Sequence, residues 1–226
     1  ILCVFGRSTA NENKRIGSGI NCPSIIKPML FYYERDRLSF LDAFPFEYST
    51  HGLGDYRESC IQVKSQGGHS VVELGYESHK IYNGKPKLAG LPATFGAENE
   101  CSTLELVCRD KALNLKVILF YSVFEDTDVV TRSVKVINEG NETILLEKVI
   151  SASVDFETSD YDFLDFHGGW GKERFLERTP LHHGVQSIDS KRGSSSHQLN
   201  PFFVLASKET NEEYGDAYGF NFVYSG

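Results

Sequence analysis

The sequence predicts an all-β domain, and three observations carry that reading. The chain of 226 residues holds 16 Phe and 11 Tyr against one Met and one Trp. With its many Val, Ile and Thr, that is the composition of strands rather than helices. Short apolar or alternating segments recur along the chain between polar, glycine-bearing turns, as in sandwiches and barrels. No segment carries a helical period for more than two turns.

The clearest elements lie in the middle. Leu113 to Phe124 (LNLKVILFYSVF) alternates and then turns continuously apolar, the pattern of a strand that becomes buried on both faces. Glu125-Asp126-Thr127-Asp128 is a polar turn. Val129 to Ile137 then alternates, with Val130, Val134 and Val136 on one face and Thr131, Ser133 and Lys135 on the other. The two segments read as a β-hairpin. After the turn Asn138–Asn141, Thr143 to Phe156 reads as one long strand, with Ile150, Ala152, Val154 and Phe156 alternating, which would complete a three-stranded meander. Further strands are expected at Ser70–Tyr76, Ser102–Cys108, Phe202–Ala206 and Ala217–Tyr224. Gly171–Arg178 reads as a short helix stopped by Pro180. Long loops fall at 42–60, 77–101 and 157–201; loops of that length are usually functional or docked. One domain over 1–226 is expected, and a start without Met together with an end straight after a strand-like run reads as a piece of a longer protein.

Bulk properties exclude several functions. A net charge of −8, with no basic stripe, argues against nucleic acid. No apolar run approaches a bilayer span and no signal peptide opens the chain, so no membrane partner and a cytoplasmic location are expected. Five cysteines without a CxxC pair read as reduced thiols rather than a disulfide framework or zinc knuckle. Arg192-Gly193-Ser194-Ser195-Ser196 lacks the Lys-Ser/Thr ending of a phosphate loop, and no GxSxG elbow occurs.

Two stretches draw attention. In Tyr48-Ser49-Thr50-His51-Gly52-Leu53-Gly54-Asp55-Tyr56-Arg57, the glycines permit a tight turn. Asp55 either pairs with Arg57 or offers a carboxylate to a ligand hydroxyl. Around 165–202, Trp170 stands between Gly169 and Gly171. Its indole either closes a core at a loop base or presents its face to a sugar ring, a base or a partner side chain. His167, His182 and His183 read as structural histidines, because adjacent histidines in a strand point to opposite faces. The acidic run Asp155, Glu157, Asp160, Asp162 and Asp165 reads as mostly solvated. The ligand class that fits best is carbohydrate, with protein docking as the competitor.

Four motifs, in order, then carry a resemblance. They are Phe46-Glu47-Tyr48 with Gly54-Asp55-Tyr56-Arg57, Gly90-Leu91-Pro92-Ala93-Thr94, Trp170-Gly171-Lys172-Glu173-Arg174, and Arg192 through Phe202. Together they resemble the N-terminal region of bacterial α-galactosidases of glycoside hydrolase family 36, over roughly positions 28 to 226. The resemblance implies an antiparallel β-supersandwich that precedes a catalytic (β/α)8 barrel. It implies a retaining mechanism on terminal α-galactosyl residues of sugars such as melibiose and raffinose, with the aspartate nucleophile and aspartate acid/base both in the barrel. No catalytic residue is therefore expected in this chain, and no metal or organic cofactor. The implied partners are the protein's own barrel, α-galactoside oligosaccharides, and further copies in a homo-tetramer whose N-terminal loops reach a neighbour's pocket. Asp55, Tyr56 and Trp170 are the candidate sugar contacts, and Arg57 and Arg174 are expected to hold their loops through charge-assisted hydrogen bonds. The alternatives are a stand-alone carbohydrate-binding module and a purely structural or oligomerisation domain.

Overall fold

The structure is a computed structural model and describes residues 2–8 by their backbone course, together with residues 46–52, 56–90 and 92–223. It is all-β and antiparallel, as the sequence predicts. The strands are β1 (Leu2–Ser8), β2 (Ile61–Ser65), β3 (Gly75–Asn83), β4 (Ser102–Asp110), β5 (Leu115–Phe124), β6 (Val129–Asn138), β7 (Ile144–Val149), β8 (Tyr161–Gly169), β9 (Lys172–Pro180), β10 (Leu199–Ser207) and β11 (Asp216–Phe222). Nine of them form one sheet in the order β3-β4-β5-β6-β1-β11-β10-β8-β9, and β2 pairs with β7 in a second, smaller sheet. The one helical element among the described residues is the 3-10 turn Glu125–Thr127. No helix there is long and apolar enough to cross a membrane.

The expected hairpin forms as read. Leu115 faces Asn138 and Phe124 faces Val129 across β5 and β6, with Asp128 in the left-handed region closing the turn. The expected meander does not. β7 leaves the large sheet and pairs with β2, so Ile61 faces Val149. It ends at Val149, because the next backbone amide, that of Ile150, donates to Cys60 O and its carbonyl accepts from Tyr48 Oη. The alternation through Val154 is therefore not a strand, and Val154 itself is exposed.

The core lies between the two sheets. Ile61, Val63, Leu106, Leu115, Val117 and Leu119 are buried there, with Tyr48, Cys60, Val72 and Cys108 among them. Val72 belongs to the segment expected as a strand at 70–76. Its apolar run reflects burial rather than pairing, since Val72 N donates to His51 O and Glu73 N to Asp110 Oδ2. Cys60, Cys101 and Cys108 are free thiols, and burial pushes the Cys108 thiol up to about 11, where it is unreactive. A second cluster fills the β8-β10-β11 half. Phe163, Phe203 and Phe220 stack with centroids 5.2 Å and 4.7 Å apart, and Phe156 meets Tyr161 and Tyr218 edge-on.

One charged group is buried in this frame. Arg132 on β6 is 5 % exposed. Its guanidinium donates to Glu47 Oε1 at 2.7 Å and lies 3.9 Å from the centroid of the Tyr121 ring, while Tyr121 Oη also donates to Glu47. A buried cation left without its carboxylate costs about 3 kcal/mol or more. The variant E47A is expected to lower the urea midpoint by the equivalent of about 3 kcal/mol, and a midpoint within error of wild type would show that Glu47 does not compensate Arg132.

Candidate functional site

The first half of the stretch expected as a long loop at 157–201 is the β8–β9 hairpin, 181–198 remains a loop, and the expected helix at 171–178 is β9. Glu177 faces Asp165, Leu176 faces Phe166 and Phe175 faces His167. Tertiary pairing overrides a local pattern that suits a short helix. Trp170 and Gly171 form the tip of this hairpin.

The tip is built by its glycines. Gly171 sits at φ 72°, a conformation that side chains with a Cβ avoid at the second turn position. At Gly168, where the β8–β9 register shifts, an added Cβ would lie 2.1 Å from Lys172 O. The bulge thus requires glycine. Its effect is to lift the indole clear of the protein: Trp170 is 91 % exposed. The reading of Trp170 as a core residue at a loop base is set aside by that exposure.

The hairpin is fixed at both ends. At its base Arg178 donates to Asp162 Oδ2 at 2.6 Å and to the carbonyls of Ser207, Lys208 and Thr210 at 2.7–3.1 Å, tying β9 to β8 and the β10–β11 turn. At its tip, Gly171 N donates to Glu173 Oε1 at 2.9 Å. The backbone N–H groups of Gly171 and Glu173, with a smaller contribution from His197, hold the Glu173 carboxyl below its ordinary range. Arg174, expected to hold this loop, has no hydrogen bond or ion pair among the described residues; it stands at φ 60°, and Glu173 holds the tip instead. The Arg192–Phe202 motif lies alongside, with Gly168 N donating to Gln198 O at 3.2 Å and Asn200 Nδ2 to Phe166 O at 3.3 Å. The segments before and after the 175–191 stretch are so brought together.

The other candidate loop is closed at its neck. Cys60 N donates to Ser49 O at 2.9 Å and Ser49 Oγ to Glu58 O at 3.1 Å. Glu47 anchors it to Arg132, and Glu58 pairs with Lys148. Gly52, at φ 98°, lets the chain pass Val71, whose Cγ2 would be 2.7 Å from an added Cβ. Tyr56 projects into solvent at 88 % exposure, and the Arg57 guanidinium lies 5.6 Å from the Phe46 ring centroid. Asp55 lies outside the described residues. Glu47 is anchored at β5 and β6, whereas Trp170 caps the edge strand β9, six places from β5 in the sheet order.

Residues 19–226 match the glycosyl hydrolase family 36 N-terminal domain. The chain belongs to that family. It is 47 % identical over 192 residues to the α-galactosidase AgaA of Geobacillus stearothermophilus, covering 84 % of this chain and 26 % of that protein. It is 46 % identical over 191 residues to the bifunctional α-galactosidase/sucrose kinase AgaSK of Mediterraneibacter gnavus, covering 84 % of this chain and 20 % of that one. Among solved structures, AgaB of Geobacillus stearothermophilus superposes with a TM-score of 0.83 at 43 % identity, over 97 % of this chain and 30 % of its own. AgaA superposes with a TM-score of 0.80 over 82 % of this chain and 26 % of its own, and has been solved in complex with raffinose and with stachyose. The chain spans about a quarter of the length of the curated relatives it matches. The supersandwich class expected from the motifs stands.

Because the folded-state pKa of Glu173 lies below its ordinary value, its contribution is full above the ordinary carboxylate range and is lost as pH falls through the lowered value. Emission from Trp170, the chain's one tryptophan, is expected to change in that acidic window. In E173Q the step should vanish; a step that persists in E173Q would assign it to another carboxylate.

Proposed function

We propose that this chain is the N-terminal, non-catalytic part of a retaining α-galactosidase that acts on terminal α-galactosyl residues of oligosaccharides such as raffinose and melibiose. Its role is to narrow and orient the sugar pocket, while the nucleophile and acid/base reside in a (β/α)8 barrel outside residues 1–226. Family membership supports the reading, as do the raffinose and stachyose complexes of AgaA. The observation that carries the role of this part is the exposed Trp170 on a glycine-built tip held by Glu173. An aromatic face on a rigid mount stacks on the C–H face of a sugar without first losing conformational freedom.

Two members of the acidic run are committed to ion pairs. Asp162 is held by Arg178 and Asp160 by Lys208. Asp55, Tyr56 and Trp170 are the side chains that contact the sugar, in a homo-tetramer where N-terminal loops reach a neighbouring subunit's pocket; the exposure of Tyr56 and Trp170 supports this. Arg57 then supports its own loop, and the uncommitted guanidinium of Arg174 stands ready for a partner on the barrel or a neighbour. The free thiols agree with a cytoplasmic protein.

A structural or oligomerisation role is the second reading, favoured by Phe175, Leu176 and Val185, which are exposed on and beside the same hairpin. The variant W170A in the full-length enzyme separates the two. A loss in kcat/KM on raffinose of about two- to tenfold, with the solution mass unchanged, is expected from the loss of one stacking contact. Unchanged kinetics with a shifted mass would favour docking, and neither change would remove Trp170 from both roles.

A further inference from the structure

The β8–β9 hairpin gathers a second group of side chains below its tip. Asp165 and His167 are two apart on β8 and share a face of the sheet. Glu177 faces Asp165 from β9. One carboxylate oxygen from each acid and one ring nitrogen of His167 lie within 4.8 Å of one another. His167 Nδ1 stands 3.5 Å from Asp165 Oδ1 and 3.5 Å from Glu177 Oε2.

Those distances are informative. A charge-assisted hydrogen bond would hold nitrogen and oxygen at about 2.7–2.9 Å. At 3.5 Å neither carboxylate is hydrogen-bonded to the imidazole. Asp165 Oδ1 is moreover a buried oxygen without any hydrogen-bond donor, a costly state for a carboxylate. Around a cation with bonds of about 2.1 Å, tetrahedral ligands stand roughly 3.4 Å apart. The two measured edges match that separation, and the third lies within the 4.8 Å span.

We propose that Asp165, His167 and Glu177 bind one divalent first-row metal ion. The donor set, one imidazole and two carboxylates on a single face, suits Zn2+ or Mn2+ and leaves further positions for water. The ion would neutralise two facing acids and supply Asp165 Oδ1 with its missing partner. It would also cross-link β8, through Asp165 and His167, to Glu177 on the edge strand β9, so that the hairpin is closed by Arg178 at its base, the metal in its middle and Glu173 at its tip. This site is independent of the sugar-binding reading. It lies on the hairpin face below the indole, and its test needs no galactoside.

The test is calorimetric titration of Zn2+ into EDTA-stripped protein at its natural length, repeated with Co2+ while the visible absorption is followed. Wild type is expected to take up one equivalent at micromolar affinity. The intense visible bands of a four- or five-coordinate Co2+ should appear together with a rise in Tm. H167Q, D165N and E177Q are each expected to weaken binding by at least about tenfold, while H182Q, whose histidine lies in the following loop, retains it. E177Q is the decisive variant for folding, because Glu177 is half exposed on the edge strand. Uptake only at millimolar Zn2+, or stoichiometric uptake that survives both H167Q and E177Q, overturns the proposal.

Discussion

Arg132 must keep Glu47. A guanidinium that is almost wholly buried, on a strand in the interior of a nine-stranded sheet, has no water to stabilise it. The carboxylate, which accepts from Nη1, and the Tyr121 ring face replace part of that solvation, while Nε and Nη2 have no hydrogen-bond acceptor among the described residues. The consequence reaches well beyond the pair. Glu47 sits at the start of the 46–60 loop, so the loop cannot leave the sheet without stranding a charge. Tyr48, the next residue, sends its hydroxyl to the carbonyls of Cys60 and Ile150, joining the loop neck to the end of β7. The small sheet, the core beneath it and the exposed Tyr56 are thereby all referred to one ion pair.

The opposite end of the sheet follows the same logic with different groups. There the charge is at the surface, and Arg178 is valued for its several donors rather than its burial. One guanidinium meets a carboxylate and three carbonyls, which the planar fork of arginine allows and lysine would not. The two exposed aromatics, Tyr56 and Trp170, are thus carried on mounts that differ in chemistry and agree in effect. Each is free at the ring and fixed at the root.

How much of this was legible in the sequence depends on the range of the interaction. The β5–β6 hairpin was legible because its alternation and its turn are local. So was the exposure of an indole set among glycines, at least as one of two readings. β9 was not, because KERFLERTP suits a short helix as well as a strand and only pairing with β8 decides. The same omission hid the Asp165-His167-Glu177 group: its members were visible as an acidic run and a histidine, but Glu177 joins them only once the hairpin register is known. β7 was overextended since a strand and a buried loop both alternate, and the hydrogen bonds that end it come from Cys60 and Tyr48, about ninety and a hundred residues away. Arg132 falls on the same face as Val130 and Val134, yet nothing near it in sequence announces Glu47.

The order of charges on β9 has a consequence for what may not bind there. An edge strand offers unpaired backbone groups to any similar strand, including its own copy. When two copies pair antiparallel about a two-fold axis, facing residues must lie on the same side of the sheet. Centring that axis on Phe175 sets Glu173 against Glu177 and Lys172 against Arg178; centring it on Leu176 sets Arg174 against Arg178; centring it on Arg174 sets that residue against itself. Every central register opposes like charges, which is destabilising at each such pair. The strand that displays the indole is therefore steered away from pairing two-fold with its own copy.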